Sequence, residues 1–254
     1  MKAIIAVVAA VFIAGYLLGG MLYSKTVTVY EKTTEEPRAV FEPYGMNASR
    51  NPNMTFATVI VPAVDQDGKG VATRLDVQVV PGSGKALVNI DKLLFWVDTQ
   101  SSIRTARSVA ENVMGINLSK TDIVYTITAN ASVVEGPSAG AALTVATIAA
   151  LQGRQTNRSV MMTGTINQDG TIGPIGGVLE KAKAAKEIGA ALFLVPAGQS
   201  VEVSYESRRH CEKVGWAEYC TIETVPSKKD VALETGIEVV EVDSITDALE
   251  YFLV

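Results

Sequence analysis

Glu135-Gly136-Pro137-Ser138-Ala139-Gly140 leads into Ala141-Ala142-Leu143-Thr144-Val145-Ala146, and the fold turns on how this stretch is read. Gly136, Pro137 and Gly140 predict a tight turn that other backbone can approach closely. The residues behind it are apolar on nearly every face. That pattern predicts a helix from Ala139 to Leu151, buried at a domain centre and stopped near Gly153. A buried helix aims its unpaired N-terminal N–H groups at whatever occupies its mouth, and they can hold an oxyanion or a phosphate there. Ser138 stands at that mouth. Serine is also a preferred N-cap, so a capping role competes with a reactive one.

Outward from this helix, strands and helices alternate. Phe56 to Val64 and Val71 to Val80 are β-rich, with the turn signal Asp65-Gln-Asp-Gly-Lys-Gly70 between them. Ala86 to Ile90 predicts another strand. From Gln100 to Met114 the period changes, with Ile103, Ala106, Val109, Ala110 and Val113 on one helical face and Gly115 as C-cap. Further strands are expected at Asp122–Thr128, Val160–Ile166, Leu192–Val195 and Ile237–Val242. Asp169-Gly170 predicts a tight turn, Val178–Ile188 a helix ended by Gly189, and Ile245–Phe252 a helix capped by Ser244 with Asp247 in its first turn. Residues 198–235 read as polar and irregular. The pattern is that of an α/β or α+β domain.

Lys181 is out of place. Positions 178, 181, 185 and 188 form one helical stripe, and Val178, Ala185 and Ile188 fill the other three. A lysine there either snorkels at the core edge or is desolvated. Desolvation disfavours the ammonium and frees an amine to act as a base near neutral pH. The chain has a single histidine, His210. A nucleophilic Ser138 would therefore need that histidine or another base, and lysine is the usual alternative. This combination indicates a Ser-Lys hydrolase.

The net charge of −5 implies no basic surface for nucleic acid. Ala3 to Tyr23 carries no charge and lies between Lys2 and Lys25. A helix of that length spans about 30 Å, enough for a bilayer, so residues 1–25 read as a transmembrane anchor, with a signal segment as the alternative. Residues 26–54 read as a linker, and the folded domain covers 55–254. Basic residues near the anchor weakly favour a cytoplasmic N-terminus and an extracytoplasmic domain at the cell membrane. Cys211 and Cys220 could close a disulfide in an oxidising compartment or stand as separate thiols; with His210 they lack zinc-module spacing. Sequons at Asn47, Asn53, Asn117, Asn130 and Asn157 carry little weight, since several fall in expected strands or turns. No cofactor and no metal is expected.

Three segments together resemble the Lon protease family: Glu135-Gly-Pro-Ser-Ala-Gly140, Met162-Thr-Gly-Thr-Ile166 and Gly173-Pro-Ile-Gly-Gly-Val-Leu-Glu-Lys181. The resemblance runs from about residue 56 to 254. It implies an α+β proteolytic-domain fold of mixed sheets packed with helices. It also implies a peptidase acting on protein or peptide substrates, in which Ser138 forms an acyl-enzyme and Lys181 is the base. Thr163 would hydrogen-bond or orient Lys181. Backbone N–H groups of the Ser138 turn, which contains Gly136, would serve the oxyanion. Glu135 is either the acidic residue beside the site or a solvated loop carboxylate. A homo-oligomeric ring, a hexamer, is implied as well.

No G-x-x-x-x-G-K-[ST] loop occurs in these residues, so ATP-driven unfolding is not encoded here. Two other readings remain open. A phosphate-binding kinase of GHMP type would use the Gly136–Gly140 turn but leaves Lys181 unexplained. A non-catalytic, membrane-anchored binding module would leave Ser138, Thr163 and Lys181 without a role.

Overall fold

The computed structural model describes residues 54–64, 70–89, 94–95, 97–129, 133–134 and 136–254. The proposed anchor, nearly all of the linker, Asp65 to Lys69 of the first turn, Glu135 and the sequons at Asn47, Asn53 and Asn130 lie outside the described residues. Among the described residues no helix is long and apolar enough to cross a membrane.

Strands β1 (Thr55–Val64) and β2 (Gly70–Pro81) pair antiparallel, with Thr55 opposite Val79 and Val64 opposite Gly70. Their period of two puts Ala57, Val59, Val61, Leu75 and Val77 in the core. Strand β5 (Thr121–Ala129) pairs antiparallel with β2, and β3 (Ala86–Asn89) pairs parallel with β5. The order is β1-β2-β5-β3, which leaves β1 at an edge. A second, parallel sheet has β10 (Leu192–Pro196) between β7 (Val160–Met162) and β13 (Glu238–Val242). Two small pairs complete this part: β4 (Leu94–Phe95) with β6 (Val133–Val134), and β8 (Thr165–Ile166) with β9 (Ile172–Gly173).

Helix α1 (Val97–Met114) precedes β5, and α2 (Gly140–Gln152) follows the turn that holds Ser138. Every residue of α2 from Gly140 to Ala150 is buried. It packs on β1, β2, α1 and the closing helix α5 (Ile245–Phe252), so apolar residues are needed all round. Its two core threonines satisfy their hydroxyls within the helix, Thr144 on the Gly140 carbonyl and Thr147 on that of Leu143. The buried Tyr125 hydroxyl meets Thr147 Oγ1 at 3.1 Å. Gly153 then ends α2 in the left-handed region. Helix α3 (Val178–Ile188) packs on β1 and β2 and carries Lys181. Together these elements form a mixed α+β domain.

Three expectations change. The stretch 160–166 is not one strand: it breaks at Thr163-Gly164, where Gly164 has φ +157° and a Cβ would run into the Ile172 side chain. The α1 helix begins at Val97, ahead of Gln100. Residues 198–235 are not irregular. They form a long antiparallel ladder, β11 (Val201–Val214) with β12 (Ala217–Asp230), and then the short helix α4 (Val231–Thr235). Most of the ladder is solvent-exposed, so no buried stripe imposes a legible period on its sequence. Cys211 lies directly opposite Cys220 and is bonded to it. Trp216 at the turn is fully exposed.

Candidate active site

Ser138 lies inside a 3-10 turn, Pro137–Ala139, ahead of α2. Gly136 begins that turn at φ 92°, a conformation that favours glycine. The N-cap of α2 is Ala139, and neither N-cap makes a side-chain capping bond. The capping alternative for Ser138 is thus not realised. Its carbonyl is tied down instead, accepting the Gly164 N–H at 2.9 Å and the Thr163 hydroxyl at 3.3 Å. The Ala141 N–H returns a bond to the Gly164 carbonyl at 3.1 Å. Gly140 permits this closeness, since a Cβ there would stand 2.7 Å from Ile166 Cγ2 and 3.1 Å from its backbone nitrogen.

Lys181 reaches the same place from α3. Gly177, left-handed at φ 66°, starts that helix, and the Lys181 N–H makes the first intrahelical bond to the Gly177 carbonyl at 3.1 Å. Among Val178, Leu179, Ala182, Ala184 and Ala185, all buried, the lysine is itself only 8% exposed. Its Nζ lies 3.0 Å from Ser138 Oγ, within hydrogen-bonding distance. It makes no ion pair with any described residue. Burial with no compensating charge pushes its pKa from 10.5 down to about 8. Near that pH much of the population carries a free amine, which can accept the serine hydroxyl proton.

A groove of about 230 Å³ opens over the pair, walled by Val61 to Val64 of β1 and by Gly136 and Gly177. Thr163 is fully buried, and its hydroxyl donates to the Ser138 carbonyl; of the two roles the resemblance implied, bonding Lys181 or orienting it, the direct bond is not the one its hydroxyl makes. Thr163 positions the serine turn. His210 is exposed on β11 beside Glu212 and takes no part around Ser138. Cys211 and Cys220 lie on the same exposed ladder, their sulfurs joined, which leaves no thiolate for a metal.

Two polar residues beside the site were not singled out from the sequence. Gln199 holds Ile175 at both its N–H (2.9 Å) and its carbonyl (2.7 Å), and the Glu202 carboxylate accepts the Leu179 N–H at 2.9 Å. The only sequence signal for them is position: polar groups spaced by three, just after a strand that stops at Pro196.

The model of the Lon protease (S16) C-terminal proteolytic domain matches residues 75–215. A Lon protease of Chloroflexus aggregans is 34% identical over 158 residues, covering 56% of this chain and 19% of that protein. Lon protease 1 of Bacillus subtilis is 35% identical over 132 residues, 50% of this chain and 17% of that protein. The Lon protease of Vibrio parahaemolyticus is 35% identical over 127 residues, 48% and 16%. The matches span less than a fifth of these relatives' length. With a family model that matches more than half of its residues, the chain belongs to the Lon protease (S16) C-terminal proteolytic domain family, a family of serine peptidases.

Proposed function

We propose that the protein is an ATP-independent serine endopeptidase that cuts unfolded or exposed protein segments with a Ser138-Lys181 dyad. The 3.0 Å approach of Lys181 Nζ to Ser138 Oγ, in a buried setting that lowers the amine pKa to about 8, carries this reading. Neutral Lys181 accepts the hydroxyl proton as Ser138 Oγ bonds to the scissile carbonyl carbon. The tetrahedral oxyanion is met by the first N–H groups of the Ser138 turn, those a helix start leaves without intrahelical acceptors. Lys181 then passes its proton to the leaving amine, and the acyl-enzyme forms. In the second half Lys181 takes a proton from water, the resulting hydroxide adds to the ester, and Ser138 recovers its proton as the acid departs.

An extended substrate fits the groove, because β1, which walls it, is an edge strand among the described residues. Cleavage of already unfolded chain needs no phosphate loop, and none occurs in these residues. The reading places the protein at the cell membrane through residues 1–25, with the domain outside the cytoplasm. The exposed Cys211–Cys220 disulfide supports an oxidising compartment. Assembly into a homo-oligomeric ring belongs to the same proposal and is checked by the native mass in detergent.

The deciding experiment is cleavage of an unfolded protein by the detergent-solubilised full chain without ATP, beside Ser138→Ala and Lys181→Ala. Loss in both variants is the expected result. Cleavage that survives Ser138→Ala would refute the dyad, and cleavage by the wild type only when ATP is added would refute ATP independence.

A further inference from the structure

The lysine helix does not secure its own start. Gly177 has no side chain to cap α3, and Gly176-Gly177 before it is the least restrained backbone a chain can offer. The first N–H groups of the helix have no intrahelical acceptor. Bonds from one other segment close both sides of this weak point: Gln199 clamps Ile175 through two hydrogen bonds, and Glu202 takes the Leu179 N–H. Lys181 follows Leu179 by two residues, about 3 Å along the axis.

The same segment also reaches the serine. The Thr163 N–H donates to the Leu194 carbonyl of β10 at 3.1 Å, while the Thr163 hydroxyl and the Gly164 N–H hold the Ser138 carbonyl. Beyond Pro196 the chain continues directly into Gln199 and Glu202. It is fixed there on a third side, because the Glu241 carboxylate on β13 accepts the Ser200 N–H at 2.8 Å. The stretch Leu194 to Glu202 is therefore tied to the Ser138 turn through Thr163 at one end and holds the Lys181 helix at the other.

We infer that Glu202 and Gln199, at the root of the β11–β12 ladder, are positioning residues that set the distance between Lys181 Nζ and Ser138 Oγ. The inference rests on the reading of those two residues as base and nucleophile. Proton transfer is steep in distance, and a misplacement of about 1 Å costs up to about a hundredfold in rate. Glu202 acts by accepting a hydrogen bond, so glutamine can replace it, whereas alanine cannot.

The test uses the full chain in detergent. Two rates are measured: steady-state hydrolysis of a fluorogenic unfolded protein, and covalent labelling of Ser138 by a fluorophosphonate. Glu202→Ala should lower kcat and the labelling rate by about tenfold or more, with KM within about twofold of wild type. Glu202→Gln should stay within about threefold of wild type in all three. Gln199→Ala should resemble Glu202→Ala, and it decides on the same criteria if Glu202→Ala does not fold. A wild-type kcat in the alanine variants, a loss carried by KM, or a glutamine variant as impaired as the alanine would overturn the inference. A wild-type chain that neither labels nor cleaves would refute the dyad itself, a different outcome.

Discussion

Replacing Lys181 by Met should make the protein more stable at neutral pH, and the gain should vanish in alkali. The lysine is 8% exposed, and its pKa falls from 10.5 in the free group to about 8. The fall from 10.5 to about 8 corresponds to about 3 kcal/mol of preference for the neutral amine in the folded state. The unfolded chain holds this proton up to pH 10.5, whereas the folded chain releases it near 8. The associated stability is therefore fully present above pH 10.5 and is lost as pH falls through about 8. At pH 7 the wild type carries the whole penalty. Met keeps an unbranched apolar stem and removes the charge, but it gives up the bond to Ser138, which is worth about 1 kcal/mol. The net expectation at pH 7 is a variant more stable by about 2 kcal/mol. Near pH 10.5 the wild type has regained most of its penalty, and the variant should be the less stable by about 1 kcal/mol. Urea denaturation of both full chains at the two pH values measures this, and the other titrating groups cancel in the difference. A stability difference that does not change with pH would refute a desolvated lysine.

Three further outcomes follow from the same geometry. The rate of peptide hydrolysis, kcat/KM, should rise with pH through a midpoint at about 8, and a profile that climbs only near 10.5 would show Lys181 to be solvated. Gly140→Ala should lose about 1 kcal/mol of stability and much of the cleavage activity, since the new Cβ pushes Ile166 and with it the Ser138 turn; thermal melts and the cleavage assay read the two effects together. Ser244→Ala removes one side of the capping box with Asp247 at the start of α5 and should cost about 1 kcal/mol, a few degrees in melting temperature, with activity unchanged.

What the sequence could convey depended on burial. The α2 helix was legible because eleven successive buried positions, Gly140 to Ala150, leave no room for a polar residue other than threonines that bond to their own helix. Lys181 stood out for the complementary reason: a charge on an otherwise apolar stripe must either snorkel to the core edge or be desolvated. The ladder of residues 201–230 was missed because none of its described residues is buried, and half-buried positions at its root such as Glu202, Ser204, Ser227 and Lys229 are polar. The break at Gly164 was missed because its cause is remote in sequence, the Ile172 side chain. Thr163 could be placed near the site but not given its partner, since the group it bonds is the Ser138 backbone carbonyl. Gln199 and Glu202 were invisible for a similar reason. Their partners are backbone groups, which every residue possesses and no sequence pattern marks.

The bond between Cys211 and Cys220 also bears on the protein's survival near its own kind. If the protein cuts extended polypeptide as proposed, its own ladder tip around Trp216 is an exposed hairpin that a neighbouring copy could attack. A nick between residues 211 and 220 would sever the backbone yet release nothing. The two halves would stay tethered through sulfur and through the pairs running back to Val201 and Asp230. Such a molecule would migrate as one band until thiol is added and as two thereafter, its wound concealed for as long as its surroundings stay oxidising.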